Sequence, residues 1–484
     1  MQRWIRELAV ALLAPGWQQW ATRRALAVVL LAVGVVVPVA VLVGALVSDR
    51  SWVALSLDSA FLAWLLIAIA AALLARVVAV AVWWVTGRDE PRTRHRTLAA
   101  GLATALAVVP LGIGFVNVAT ARSDLSPVFT PIRANAPLFD ADAPPRTTAA
   151  LPLPHRTVPT SPPTTDDRQS RPLPTIVFRI PTVTTTTLPP LPARPRSGVD
   201  PARVADVYNI LLLGGDAGPG RYGLRTDTMM LLSVHTPSGR ASLVSLPRDM
   251  KRVLFPPESA LGQRYPYGFT ELANAVYPIV SSNSALRAAY EVDGILPGVV
   301  ATAEAIGYSL DVTIHDYVLV DMQGFLELID ALGGVTVDVT KQIPMPGNVP
   351  GARTQYPETI GPGTIHMDGS TALGYVRSRY ADSDYQRTAR QRALLAALAR
   401  QVSLTEVATN FGAVTSAIGG TLRTSLTPDE LAQTLAIVGG ETAIVESVGL
   451  VPPLTSMTRP DFQKLAEVVG AVRVAIAEGH ASGY

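Results

Sequence analysis

Residues Asn209–Met230 read NILLLGGDAGPGRYGLRTDTMM. The apolar run Ile210–Leu213, with Val207 just before it, is the pattern of a strand buried on both faces of a sheet. A glycine-rich turn follows, presents Asp216, Arg225 and Asp227, and leads into a second strand, Thr228–His235. Ala241–Leu246, Val312–Val320 and Gly334–Val339 have the same short apolar character. Met322–Leu332, Ser370–Tyr380 and Tyr385–Val402 read as helices, the first stopped by Gly333–Gly334 and the last opening behind Ser383 and Asp384 as caps. Thr427-Pro428-Asp429-Glu430 starts another, with proline at an early position. The pattern predicts an α/β domain over about 204–484, a central sheet covered by helices.

Strand ends in such sheets carry ligand chemistry, and Asp216 and Asp227 flank one. Two neighbouring carboxylates repel, and a Mg²⁺ or Mn²⁺ bound partly through water and a substrate phosphate relieves the repulsion. Further along, Tyr375–Gln391 reads YVRSRYADSDYQRTARQ. Arg377 and Arg379 are two apart and diverge on a continuous helix, so convergence on one anion requires a helix end or kink. Arg387 and Gln391 are i, i+4 and share a face, with Arg390 beside them. A guanidinium fork and an amide together can hold phosphate oxygens. Arg248, in Leu246-Pro247-Arg248-Asp249, is aimed from a turn that proline stiffens.

Asn274 could orient substrate, but each of these residues has a plainer reading: Arg225 paired with an aspartate, Arg248 with Asp249, Asn274 on a helix surface, and His235, His315 and His366 as structural histidines. The set is harder to explain that way. Five cations between Arg377 and Arg392 repel one another unless an anion, or acids such as Asp382 and Asp384, gather them. A pyrophosphate is the leading candidate. No Ser-His-Asp set, P-loop or HExxH motif is present.

The chain has 484 residues, a net charge of +2 and no cysteine. The charge gives a nucleic-acid partner no global support, and without cysteine there are no disulfides or thiolate metal sites. Three apolar runs, about 25–47, 61–85 and 98–119, are long enough to cross a bilayer. Arg3, Arg6, Arg23 and Arg24 precede the first; Arg88, Arg92, Arg94 and Arg96 separate the second from the third. Arginine bias therefore puts the N-terminus in the cytoplasm and everything after about residue 120 outside it, as a multi-pass membrane protein. Arg76 inside the second run reads as a packing arginine or a lipid-phosphate contact. Residues 121–203 are rich in Pro and Thr and read as an extended linker, a spacer through a cell wall or a passive tether.

The stretches NILLLGGDAGPGRYGLRTDTMMLLSV, ASLVSLPRDM, NAVY, GGVTVDV, ALGYVRSRYADSDYQRTARQR and TSLTPDELA together resemble the LytR–CpsA–Psr proteins, and the glycine-rich form resembles the actinobacterial branch. The resemblance implies an α/β/α domain with a central mixed sheet. It implies an enzyme that moves a glycopolymer from a polyprenyl-pyrophosphate carrier onto a peptidoglycan acceptor during cell wall assembly. It also implies magnesium at Asp216 and Asp227, a pyrophosphate clamp of Arg225, Arg377, Arg379, Arg387 and Gln391, and catalytic roles for Asp227, Arg225 and Arg248. The chain departs from the family at Leu272, where a lysine is frequent. A polyprenyl-pyrophosphate hydrolase with the same clamp, and a lipid-binding regulator without catalysis, are the alternative readings.

Overall fold

The computed structural model describes residues 28–30, 32–47, 52–86, 94–125, 127–129, 137–143, 191–215, 225–292, 294–346, 357–379, 383–401, 411–438 and 444–484. Asp216, Asp382 and the basic N-terminal stretch lie outside them. The central sheet holds β1 (Val207–Gly215), β2 (Thr226–His235), β3 (Ala241–Leu246), β4 (Asp316–Asp321), β9 (Leu422–Thr424) and β10 (Ile444–Gly449), in the order β10-β3-β2-β1-β4-β9. β1 runs antiparallel to β2 and parallel to β4, and β10 runs parallel to β3, so the sheet is mixed. Small paired strands, β5 (Val335–Val339) with β8 (Gly363–Met367) and β6 (Ile343–Pro344) with β7 (Thr359–Ile360), form a satellite.

Alternation along each strand explains the layers. Leu211 and Leu213 of β1, Leu231 of β2 and Tyr317 of β4 enter one buried cluster, which α8 (Pro297–Leu310) and α14 (Phe462–Glu478) complete. Ile210, Met230 and Leu243 face the other way, toward α11 (Asp384–Gln401) and α13 (Pro428–Val438) through Leu395, Ala399 and Leu431. Burial on both faces is the reason β1 lacks a polar side. Asn209 is fully buried there, yet it is satisfied: its amide donates to the Thr313 carbonyl at 2.9 Å and its oxygen accepts from Ser233 Oγ at 2.8 Å.

Two expected elements move. The strand expected over Val312–Val320 begins only at Asp316, because Ile314 exchanges backbone bonds with Phe139 (2.9 and 2.8 Å) before β4 joins β1. The helix expected over Ser370–Tyr380 is α10, Gly369–Arg377, capped by Asp368 accepting from the Thr371 amide. It ends because Ser378 turns extended.

Among the described residues, two helical stretches are long and apolar enough to cross a membrane, Val28–Ala45 and Ser59–Ala79. They belong to α1 (Val37–Val47, after a π turn at Ala32–Val36) and α3 (Ser59–Thr86). The third expected span falls within α4, Arg94–Leu125. Arg76 donates to the carbonyls of Gly34 in that π turn and of Ala72 in its own helix, 3.3 and 3.1 Å, tying the π turn before α1 to α3. Parts of the stretch read as linker lie against the α/β domain: Val128 accepts from the Thr424 amide at 3.0 Å, and Arg194 reaches both Ala141 and Asp311.

The two-faced sheet makes a direct expectation. Leu231→Ala, at a fully buried position in the middle strand, should cost about 2–5 kcal/mol. Leu435→Ala on the exposed side of α13 should stay within about 0.5 kcal/mol. Thermal unfolding of the full chain in detergent, read side by side, checks the difference; equal shifts would count against the layer assignment.

Candidate active site

The polar residues of the site are gathered at one end of the sheet. β1 ends in a bulge at Gly214–Gly215, and β2 begins opposite it. Gly214 has no room for a side chain: a Cβ there would lie 2.8 Å from Thr228 Cβ. This close approach leaves Asp227 beside the strand end. Its Oδ1 accepts from Arg248 Nη1 at 2.8 Å and from Asn274 Nδ2 at 2.9 Å. Arg248 thus pairs with Asp227 rather than with its neighbour Asp249.

A second carboxylate, Asp384 at the start of α11, takes three guanidinium groups. Arg387 lies 3.1 Å away, Arg379 3.3 Å and Arg248 3.6 Å. Arg387 is the buried member, with its side chain only 5% exposed, and its other contact is the Asp227 carbonyl at 3.4 Å. Burial lowers its pKa, with Asp384 opposing the shift. Burial acts the same way on Arg248, but the Asp227 hydrogen bond and the charges of Asp227, Asp384 and Asp249 outweigh it and raise its pKa. The Asp249 carboxyl is raised, mainly by burial and further by Asp384, against Arg248 and Arg387. Arg387 Nε, Gln391 Oε1 and Asp249 Oδ1 are buried with no partner among the described residues. Such groups are costly unless a ligand meets them.

Arg377 and Arg379 do sit at a helix end, on either side of extended Ser378, and both line the site. Arg390 and Arg392 do not. Arg390 is buried and donates to the carbonyls of Tyr375 and Ser378, closing the end of α10. Arg392 binds Ser447 and Ser245 across the sheet. Arg225 is exposed and does not line the cavity, and Asp216 lies outside the described residues. Among the described residues no three His, Asp or Glu converge on one point.

Sequence reasoning read Asp384 as a helix cap and as one of two acids able to gather the arginines, which it does, and favoured a helix surface for Asn274. The first had a signal, its i, i+3 spacing to Arg387. The burial of Asn274 comes from the Pro247–Met250 turn, onto which the amides of Ala273 and Asn274 bond, and no local pattern announces it.

Behind the charged mouth lies a cavity of about 460 Å³. Leu212 and Leu213 of β1, Val318 and Val320 of β4, Met322 and Phe325 of α9 (Met322–Ala331), Leu373 and Val376 of α10, and Leu394 and Leu395 of α11 wall it. Asp227, Arg248, Arg377, Arg379, Arg387 and Gln391 rim it. One opening therefore offers an apolar interior and a cationic edge.

Residues 184–450 match the model of the LytR_cpsA_psr family. The chain belongs to that family. It is 31% identical over 234 residues to a polyisoprenyl-teichoic acid–peptidoglycan teichoic acid transferase, TagU, of Oceanobacillus iheyensis, which covers 48% of this chain and 62% of that protein. It is 25% identical over 236 residues to biofilm regulatory protein A of Streptococcus mutans, covering 48% and 52%. The chain thus spans about half to three-fifths of the length of these relatives. The crystal structure of B. subtilis TagV is 23% identical with a TM-score of 0.41, covering 57% of this chain and 98% of that one.

The raised Asp249 carboxyl has a consequence for stability. Its folded pKa stands above its unfolded value, so the native state holds the proton more tightly. Stability then falls as pH rises from the unfolded toward the folded pKa. Asp249→Asn should remove that loss: the variant should match the wild type at pH 4 and equal or exceed it at pH 7.5. Melting of both proteins across that range checks the sign, and a variant less stable only at the higher pH would contradict it.

Proposed function

We propose that this protein is a phosphotransferase, moving a glycopolymer from a polyprenyl-pyrophosphate carrier onto a sugar hydroxyl of peptidoglycan during cell wall assembly. One observation carries the reading: an apolar cavity opens onto a rim of arginines with unpaired buried donors. That combination suits an amphiphile with a lipid tail and a pyrophosphate head. Family membership and the teichoic acid transferase named above support the same chemistry.

In this reading the tail enters the cavity between β1, β4 and α11, and the pyrophosphate lies on Arg387, Arg248, Arg379, Arg377 and Gln391, with Arg225 approaching from the turn before β2. The arginines neutralise charge that grows on the departing phosphate. The acceptor hydroxyl forms a bond to the sugar-proximal phosphorus as the bond to the bridging oxygen breaks. Polyprenyl phosphate leaves with the electron pair, and the hydroxyl proton passes to a carboxylate of the site. Asp384 keeps three guanidinium groups in place and so positions the clamp.

The residues fit a magnesium ion. Asp227 holds both of its donors on Oδ1, and among the described residues nothing donates to Oδ2. One free carboxylate oxygen, with Asp216 from the neighbouring turn, water and substrate phosphate, is the kind of set Mg²⁺ accepts. A bound ion would supply positive charge to the phosphoryl oxygens.

We also propose three membrane crossings, with the α/β domain outside the cytoplasm. The arginine bias supports this. So does the packing of α2 (Trp52–Leu57) on α13 and of the Leu125 end of α4 on α12 (Phe411–Thr421), because both contacts fall on the side the bias assigns to the exterior.

Asp227→Ala should abolish metal-dependent transfer from a lipid-pyrophosphate glycan to peptidoglycan oligomers, whereas Arg387→Lys should chiefly raise the donor concentration needed, by about tenfold or more, since the charge stays and the fork is lost. Half the wild-type rate in the Asp227 variant would remove the metal assignment. Product released equally without acceptor would make the protein a hydrolase.

Each buried methylene contributes about 0.8 kcal/mol. A donor with a truncated tail should therefore bind the full chain in detergent at least tenfold more weakly than a long-chain donor bearing the same head. Calorimetry decides it, and equal dissociation constants would mean that the arginines alone set affinity.

A further inference from the structure

The cavity is too small for the tail of the carrier proposed above. At roughly 25 Å³ per carbon, the space a benzene ring has in a dry apolar cavity of about 150 Å³, a cavity of about 460 Å³ takes fewer than about twenty carbons. A polyprenyl chain tens of carbons long must leave it, and the exposed part needs an apolar path.

One wall of the cavity is also one side of the joint between the α/β domain and the membrane helices. Val318 and Val320 line the cavity and pack against a buried cluster that contains Leu62, Ala121 and Leu125. The contacts continue helix by helix. Gly324 of α9, between the cavity residues Met322 and Phe325, has no room for a Cβ because Thr421 at the end of α12 would lie 1.7 Å away. Gly419 of α12 also lacks room, since its Cβ would lie 2.3 Å from the Asp124 carbonyl of α4. On α4, Ile113 and Val116 are more than half exposed, as residues facing lipid would be.

We infer that the tail passes from the cavity along the joint of α12 and α4 into the bilayer, so that the membrane anchor forms part of the carrier-binding site. This rests on the carrier reading given above. The docked arrangement holds the cavity wall directly against the membrane helices, Val318 and Val320 on Leu62, Ala121 and Leu125. A domain raised on a spacer would expose the remaining tail to water, at about 0.8 kcal/mol per methylene.

The test uses the full chain in nanodiscs and two polyprenyl pyrophosphates carrying a diazirine, one within the first ten or so carbons and one near the far end. The first should label peptides containing Phe325 or Leu394. The second should label α4 and α12. Gly419→Leu, which must push α4 away, should lower the distal yield on α4 and α12 at least fivefold and leave the proximal yield unchanged, which also shows that the domain remains folded. A distal label on α8 or α14, beneath the opposite face of the sheet, or a distal yield unaffected by Gly419→Leu, overturns the route alone. A proximal probe that misses the cavity removes the carrier reading and the route with it.

Discussion

Burying a guanidinium is costly unless an anion or several acceptors meet it, and the site is arranged around that constraint. Arg387 is taken almost wholly out of water by α11, and an arginine stays charged where another base would give up its proton. Asp384, one turn earlier, supplies the compensating charge, and because it also draws in Arg248 and Arg379 it fixes three cations around a point. The arrangement leaves a buried Nε on Arg387 and a buried amide oxygen on Gln391 unused. A merely structural network would be expected to close such valences. Here the residues that carry them line a cavity, where an anionic group can meet the Arg387 guanidinium.

The sheet dictates where this can happen. β1 and β4 run parallel, so both end on the same side, and the crevice outside those ends is where open α/β sheets take ligands. The lack of a side chain at Gly214 lets β1 pass close to Thr228 and turn away. The cavity wall and the charged rim are consequently made from the same strands. Just before the bulge Leu212 lies on the cavity face, beside Val318, and the strand across from it delivers Asp227.

Much of this was legible in the chain. An apolar run without a polar face gives a doubly covered strand, and the two-residue separation of Arg377 and Arg379 required the helix end that Ser378 provides. What stayed hidden depends on contacts between distant segments. Arg390 and Arg392 belong to the same basic run as Arg387, yet the carbonyls at the end of α10 take one and the serines of β3 and β10 take the other. Asn274 lies within an apolar run and becomes a partner of Asp227 only because the turn after β3 captures its backbone. The break of the expected Val312–Val320 strand likewise needs Phe139, from a stretch whose composition suggested no packing at all.

That stretch changes how the chain as a whole is understood. Proline and threonine content argues for a spacer, and a spacer holds its ends apart. Here the residues that flank the Pro/Thr-rich segment meet: Arg194 donates to the Ala141 carbonyl, and both sides are fastened to Asp311 or its neighbours, Arg194 and Ser197 through the carboxylate and Ala141 through Thr313. A segment clipped at both ends on one face of a domain cannot lift that domain. Composition alone says how stiff such a segment is; only the pairing of its flanks says whether stiffness is converted into distance. With the flanks joined, the position of the domain is set instead by α2 and α4, whose contacts with α13 and α12 hold the cavity wall against the membrane anchor.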